Sequence, residues 1–262
     1  MAPIIIGAIM VVGGLLISIL VSAKIKNRNV EIQYMKTTPL ADLKQNLQEN
    51  EASGLEGYRE YAELKGVADA DSPLKTPYSE KDVAYYDASI YQVFEETETY
   101  TDEQGTHQRV NRREDLMSNE KSPGYIVMKD EISGEKAYIE PVQHGLKLDT
   151  VKTLDKFEPM NMMGQYGFFN SFRYNQRGTR TLGFRMVENT IPLSQPLYVL
   201  GDAYLESGRV KVAKPADNKK PFIVSVKNEA DLIHGNKVSA GFALYGGIVL
   251  AVAGVLIAVF VH

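Results

Sequence analysis

Cysteine is absent from the 262 residues. No disulfide framework, thiolate nucleophile or cysteine-ligated zinc or iron–sulfur centre can form among them. The absence does not fix a compartment. Charge is missing from both ends: the first 23 and last 25 residues hold no Lys, Arg, Asp or Glu, so all 62 charged residues lie between Lys24 and Lys237. The net charge is −4 and no basic stripe is interleaved with aromatics, which gives no footing for nucleic acid.

The uncharged ends are long. Residues 3–21 read PIIIGAIMVVGGLLISILV; as a helix they span roughly 28 Å, close to the hydrocarbon thickness of a bilayer. Residues 238–261 would span about 36 Å, enough to cross with tilt. Backbone groups in lipid must pair within their own segment, so both stretches are expected to be helical. For the first, a signal peptide is the alternative, since Val21-Ser22-Ala23 loosely resembles a cleavage site; against it, the segment has no basic n-region and a long apolar run. For the second, a buried core helix is the alternative, but no polar face is left for water.

Lys24, Lys26 and Arg28 follow the first segment, and Lys227 and Lys237 precede the second. The basic excess lies on the side of the middle region at both ends. That places the middle region in the cytoplasm, with both termini outside, in a chain integral to the plasma membrane.

The division expected is a transmembrane helix at 3–21, a juxtamembrane segment with a short helix at 22–56, a β-rich domain at 57–236 and a second transmembrane helix at 238–261. Thr38-Pro39-Leu40-Ala41-Asp42-Leu43 reads as a helix start, with Thr38 as N-cap and Pro39 as first helical residue. The helix should run to about Gln48, before a polar break. Beyond it the period turns towards two. Strands are expected at 60–68, 81–95, 107–117, 125–129, 136–140, 182–188, 197–201, 208–213 and 222–226, with turn signals at 102–105, 133–134 and 206–208. Along 81–95 the odd and even residues should share opposite faces. Without long helical periods between strands, the fold class is mainly β: an antiparallel β-rich soluble domain with a short N-terminal helix, flanked by two transmembrane helices.

Catalytic patterns are scarce. His107, His144, His234 and His262 have no partner at His-x-x-x-His spacing. Glu95-Glu96 and Asp130-Glu131 would point to opposite faces of a strand and read as solvated charge. There is no Gly-x-Ser-x-Gly elbow, and Gly54-x-x-Gly57 lacks the Lys-Ser/Thr of a phosphate loop. Neither a catalytic constellation nor a cofactor or metal site is expected. Residues 157–181 differ: Met160, Met162, Met163, Phe168, Phe169 and Phe172 make them a candidate interaction segment. A core-covering loop and a membrane-dipping loop are the other readings.

Three blocks carry a family resemblance. The first runs from Glu63-Leu64-Lys65-Gly66 through Pro73, Leu74 and Pro77 to Tyr85 and Tyr86. The second is Asp130, Gly134 and Tyr138-Ile139-Glu140-Pro141. The third holds Glu188, Tyr198, Gly201, Pro221 and Phe222. In this order the blocks resemble the GIDE domain family, which includes membrane-anchored ubiquitin ligases of mitochondria and chloroplasts and prokaryotic proteins without a ligase module. The resemblance covers roughly residues 57–232 and implies a prokaryotic member without a RING. Ser194 and Gln195 stand where the family commonly has a glycine. Family ligases carry a zinc RING beyond the second membrane helix, whereas this chain stops at His262, and a RING without cysteine cannot bind zinc. Two anchors, a β-rich domain and the lack of a catalytic constellation point to a membrane-tethered, non-catalytic protein-interaction scaffold of the GIDE type. The alternatives are a self-associating membrane-organising protein and a membrane-associated hydrolase or transferase. Partners expected are the lipid bilayer and other membrane proteins or further copies.

The membrane segments carry small residues every four positions: Ala243, Gly247 and Ala251; Gly246, Gly254 and Ala258 around Leu250; and Gly14, Ser18 and Ser22. Such rows let helix backbones approach, so the two helices are expected to pack together or against other copies.

Overall fold

A computed structural model describes residues 2–55, 57–102, 104–141, 146–161 and 179–260. Two long helices, α1 (Ala2–Tyr34) and α3 (Glu229–Phe260), enclose everything else in the chain. They are long and apolar enough to cross a membrane, and only 17% and 11% of their most apolar windows are buried. That exposure rules out the core helix of a soluble domain. Together they give an integral-membrane topology with both termini on one side.

The two helices run antiparallel, and small residues make the seam. The Ser18 hydroxyl donates to the carbonyls of Ala243 (3.2 Å) and Leu244 (3.3 Å). A Cβ on Gly14 would stand 2.6 Å from the Gly247 carbonyl oxygen, and one on Gly254 2.6 Å from that of Gly7. One on Gly247 would overlap Ser18 Oγ and the Gly14 carbonyl. The expected rows are thus occupied within the chain, but not in full, since Gly246 faces open space. Neither helix stops at the edge of the uncharged stretch. α1 continues eleven residues past Ala23 as a stalk, because Ile25 and Ile32 bury a stripe against α3 and Asn236 Nδ2 donates to Asn29 Oδ1 at 2.7 Å. Residues 22–34 thus continue the same helix past the apolar stretch.

The short helix α2 (Leu40–Ala52) begins one residue later than its sequence suggests. Pro39 is extended at ψ 137°, which makes it the cap position, and Thr38 is occupied elsewhere: its backbone N–H donates to the Glu63 carbonyl at 2.8 Å. The helix outruns Gln48 by one turn and ends before Gly54, whose φ of 85° suits only glycine.

The strands form two sheets. β1 (Glu60–Asp69), β5 (Ile126–Lys129), β6 (Lys136–Ile139), β11 (Arg209–Ala213) and β10 (Pro196–Glu206) pair in a ring that closes when β10 returns to β1. β12 (Phe222–Ser225) adds to β10, and β7 (Leu146–Asp149) to β12. The sheet is mostly antiparallel, with parallel pairings at β6–β11 and β7–β12. Its core holds Leu64, Ile126, Met128, Ile139, Val199, Val212 and Phe222, covered by Leu40, Leu43 and Leu47 of α2. Gly201 is obligatory there: a Cβ would lie 2.8 Å from Val212 Cγ1, 2.9 Å from the Ala213 carbonyl and 2.9 Å from Phe222.

The second sheet has β3 (Asp82–Asp102) at its centre, β9 (Thr179–Pro192) and then β8 (Val151–Pro159) on one side, and β2 (Leu74–Lys75) and β4 (Gly105–Lys121) on the other. β2, β7 and β8 were not expected, and β3, β4, β9 and β10 are longer than expected. Strict alternation along β3 fails where register shifts opposite β9 fall between Val83 and Tyr85 and between Val93 and Phe94. Ala84 and Tyr85 accordingly both pack on the barrel core, while Val83, Tyr86 and Ala88 form a separate cluster with Leu74.

Candidate functional site

Buried carboxylates are costly unless their oxygens are satisfied, so Glu63 and Glu188 are natural places to seek a site. Glu63 is 1% exposed and sits where the stalk meets the barrel. Its carboxylate accepts from the Thr37 hydroxyl (2.7 Å) and the Tyr198 hydroxyl (2.9 Å), and pairs with Lys65 Nζ at 3.1 Å. Lys65 also reaches Glu229 of α3 at 3.1 Å. Burial alone would lower the Lys65 pKa, but hydrogen bonds to Glu63 and Glu229 outweigh it and raise it. Burial, then Glu63, holds the Tyr198 phenol well above its ordinary value. Tyr61 is raised by burial and by Glu31, and its hydroxyl donates to the Pro221 carbonyl at 2.9 Å. Beside this network Ile32 and Leu232 pack on Tyr198, Leu200 and Ile223. An open groove of about 870 Å³ borders the junction, lined by Gln33, Lys65, Gln195, Tyr198, Lys227 and Glu229 among others. The Glu63 network ties β1 to β10 within the barrel and, through Thr37 and the Lys65–Glu229 pair, to the chain just past α1 and to α3, which makes it a clamp.

Glu188, on β9, is 0% exposed. One carboxylate oxygen accepts the backbone N–H groups of Tyr78 (2.7 Å) and Ser79 (3.1 Å), and the other accepts the Ser79 hydroxyl at 2.5 Å. It pins the tight turn that follows Pro77, where Glu80 has φ 54° and the Thr76 hydroxyl accepts from Lys81 N at 3.0 Å. Burial pushes the phenols of Tyr78, Tyr85 and Tyr86 up to about 12, and Tyr86 donates to Glu120 at 2.7 Å.

The family-motif positions thus hold structural posts. Leu74 lies in β2 and packs on the Val83 cluster, Pro73 precedes it, and Pro77 opens the turn that Glu188 pins. Tyr198 closes the Glu63 network, Gly201 makes room for Phe222, and Pro221 accepts from Tyr61. Ser194 stands at φ 60°, the left-handed conformation that a glycine adopts without strain. Among the described residues no group of three or more His, Asp or Glu could hold a metal ion.

Of the candidate interaction segment, Met160 is partly buried against Ile90, Phe184 and Met186. Met162, Met163, Phe168, Phe169 and Phe172 lie outside the described residues, as do His144 and His262. The place where this segment joins the fold is well defined. β8 ends as Pro159 pairs with Gly183, and β9 begins as Thr179 pairs with Glu96 of β3. Beyond Glu96, residues 97–102 and 105–110 pair, among the described residues, only with each other, as an arm. Tyr100 and Val110 on it are 51% and 59% exposed. The methionine- and phenylalanine-rich stretch therefore leaves and re-enters the sheet at the base of the arm. Sequence reasoning saw the segment and the hairpin separately. Their meeting depends on the β3–β9 register, which no local pattern reveals.

A two-pass membrane protein with a closed barrel on a helical stalk, and a second sheet extended into an exposed arm, is the class that this geometry defines. A family model described as GIDE, E3 ubiquitin ligase, matches residues 95–259, well over half of the chain. The chain belongs to the GIDE family. The matched stretch holds the second and third blocks of the resemblance; the first lies before it and is tied to the third through Glu188. With no cysteine among the 262 residues, the ligase wording describes the family and not a zinc RING in these residues. Searches of curated proteins and of solved structures gave no match.

Proposed function

We propose that this protein is a membrane-tethered, non-catalytic interaction scaffold that engages other membrane proteins through the far end of its second sheet. The observation that carries this reading is the convergence of the arm and the Met/Phe-rich segment at one end of β3 and β9. A two-stranded ribbon exposed on both faces is marginal by itself, and ordering each backbone residue costs about 1–2 kcal/mol. Strands that leave the core behind gain most when they meet a partner. The Met/Phe-rich composition of the stretch between β8 and β9 suits a contact surface. The basic residues flanking both membrane segments support a cytoplasmic domain in the plasma membrane, with both termini outside.

Photocrosslinking side chains placed at Tyr100, Val110 and Phe169 in cells test the surface, with Ile132, 98% exposed on the barrel, as control. A discrete product with another membrane protein is expected from the first three sites and not from Ile132. Products of twice the chain's own mass would instead establish the self-associating alternative, and no product at the three sites would sink both. Protease access to a tag after residue 262 in intact cells reads the orientation separately: protection there would reverse it.

A further inference from the structure

Lys24, Lys26 and Lys237 are exposed, yet among the described residues none of the three takes part in an ion pair. The seam brings them to one level. Ser18 bonds the carbonyls of Ala243 and Leu244 below them, and Asn29 bonds Asn236 above. Lys237 of α3 therefore stands beside the 24–28 stretch of α1, although more than two hundred residues separate them. Helical spacing sets them around the seam. Ile25, 8% exposed, faces α3, so Lys24 and Lys26 fall about 100° to either side of it. Asn236, 3% exposed, likewise faces α1, and Lys237 flanks it. The nearest acids along the helices, Glu31 and Asp231, lie further towards the barrel. The side towards the termini is uncharged to the end of each helix. The result is a cluster of three cations, without an ion-pair partner among the described residues, at the height where hydrocarbon gives way to headgroups.

We propose that this collar is a binding surface for anionic phospholipid headgroups, with the lysines bonding phosphodiester oxygens on both sides of the helix seam. A neutral or zwitterionic surface would leave the cations hydrated. An anionic one gains about fivefold in local lipid enrichment for each lysine at the surface. The attraction is a surface one, so it is screened beyond about a Debye length. The proposal stands whichever side of the membrane carries the domain, and independently of what the arm contacts.

The test uses the full chain in vesicles of mixed phosphatidylcholine and phosphatidylglycerol, with a trace of photoreactive lipid of one class or the other. The wild type is expected to be labelled by the anionic probe at least tenfold above its mole fraction relative to the zwitterionic probe, with the excess falling as salt is raised. The triple variant K24Q/K26Q/K237Q should lose that excess. The variant K81Q/K129Q/R109Q, which removes three exposed cations of the β-domain, should keep it. Both variants change exposed residues, and matching thermal unfolding curves check that each is folded. Equal labelling by the two probes in the wild type, or an unchanged excess in the triple variant, overturns the proposal. So does competition by excess soluble glycerol phosphate, which would mark a free-anion site instead of a bilayer surface.

Discussion

The two sheets meet the same difficulty, an edge of unpaired backbone, in opposite ways. The barrel removes it by returning β10 to β1, and the stalk closes over Tyr198, Leu200 and Ile223. The second sheet leaves one edge of β4 without a strand partner among the described residues and extends it, paired with β3, beyond β9. There the edge is guarded by Arg109, Arg112, Arg113, Glu114 and Asp115, and by a bulge where Ile90 and Tyr91 face Ser118 and Leu116. A closed, clamped half and an open, charged half on one anchor imply a division of labour: the first sets position, and the second offers contact.

The largest effect should come from the closed half. Gly201→Val puts methyl groups into Val212, Phe222 and the Ala213 carbonyl, and should cost about 3 kcal/mol or more. Denaturant unfolding of the detergent-solubilised chain would read it, and a loss below about 1 kcal/mol would mean that the ring is not tightly closed. Glu188→Leu tests whether the second sheet has a rigid root. Two backbone donors and the Ser79 hydroxyl lose their acceptor, and a loss of about 2–3 kcal/mol is expected in the same assay. If the loss is slight, the contrast between the halves extends to the root of β9.

Gly247→Leu comes next. It wedges Ser18 and Gly14 apart and should weaken helix pairing by about 1–2 kcal/mol, lowering energy transfer between labels on α1 and α3 of one chain. An unchanged signal would reduce the helices to separate anchors.

Asp155 gives a smaller, pH-dependent effect. The Arg185 guanidinium, then Lys152, hold its carboxyl below the ordinary carboxylate value, so the folded state binds this proton less readily than the unfolded one. The pairing stabilises the fold above about pH 4 and is lost as pH falls towards the lowered value. The pair is about a third exposed, which limits the gain to below about 1 kcal/mol. Wild type and Asp155→Asn should therefore differ at neutral pH and converge in acid. A gap that widens on acidification would reverse the sign. Smallest of all is removal of residues 97–110 in favour of an Asn-Gly turn, expected to change stability by under about 0.5 kcal/mol while abolishing arm crosslinks. A large loss would make the arm part of the core.

Much of the frame could be read from residue order. The uncharged ends, the strands from Glu60 onward and the mainly antiparallel class follow from hydropathy and alternation. β7 carried a signal too, with Leu146 and Leu148 alternating against Lys147 and Asp149, but a run this short depends on partners far along the chain. β2 is two residues long and exists only because β3 passes it. At the candidate site the motif positions were visible and their posts were not. Nothing local marks Glu63 or Glu188 as buried, because burial follows from the stalk in one case and from the Pro77 turn in the other.

The seam between α1 and α3 joins parts of the chain far apart in sequence: Ser18 waits for a partner 225 residues later. α1 is therefore made well before the helix that covers Gly7 and Gly14, and the seam closes only once α3 has been made. The clamp has the same timing, since Glu229 and Leu232 complete it only when β12 has been made. The closure works like a clasp: α3 at once fills the groove in α1 and locks the barrel onto its support.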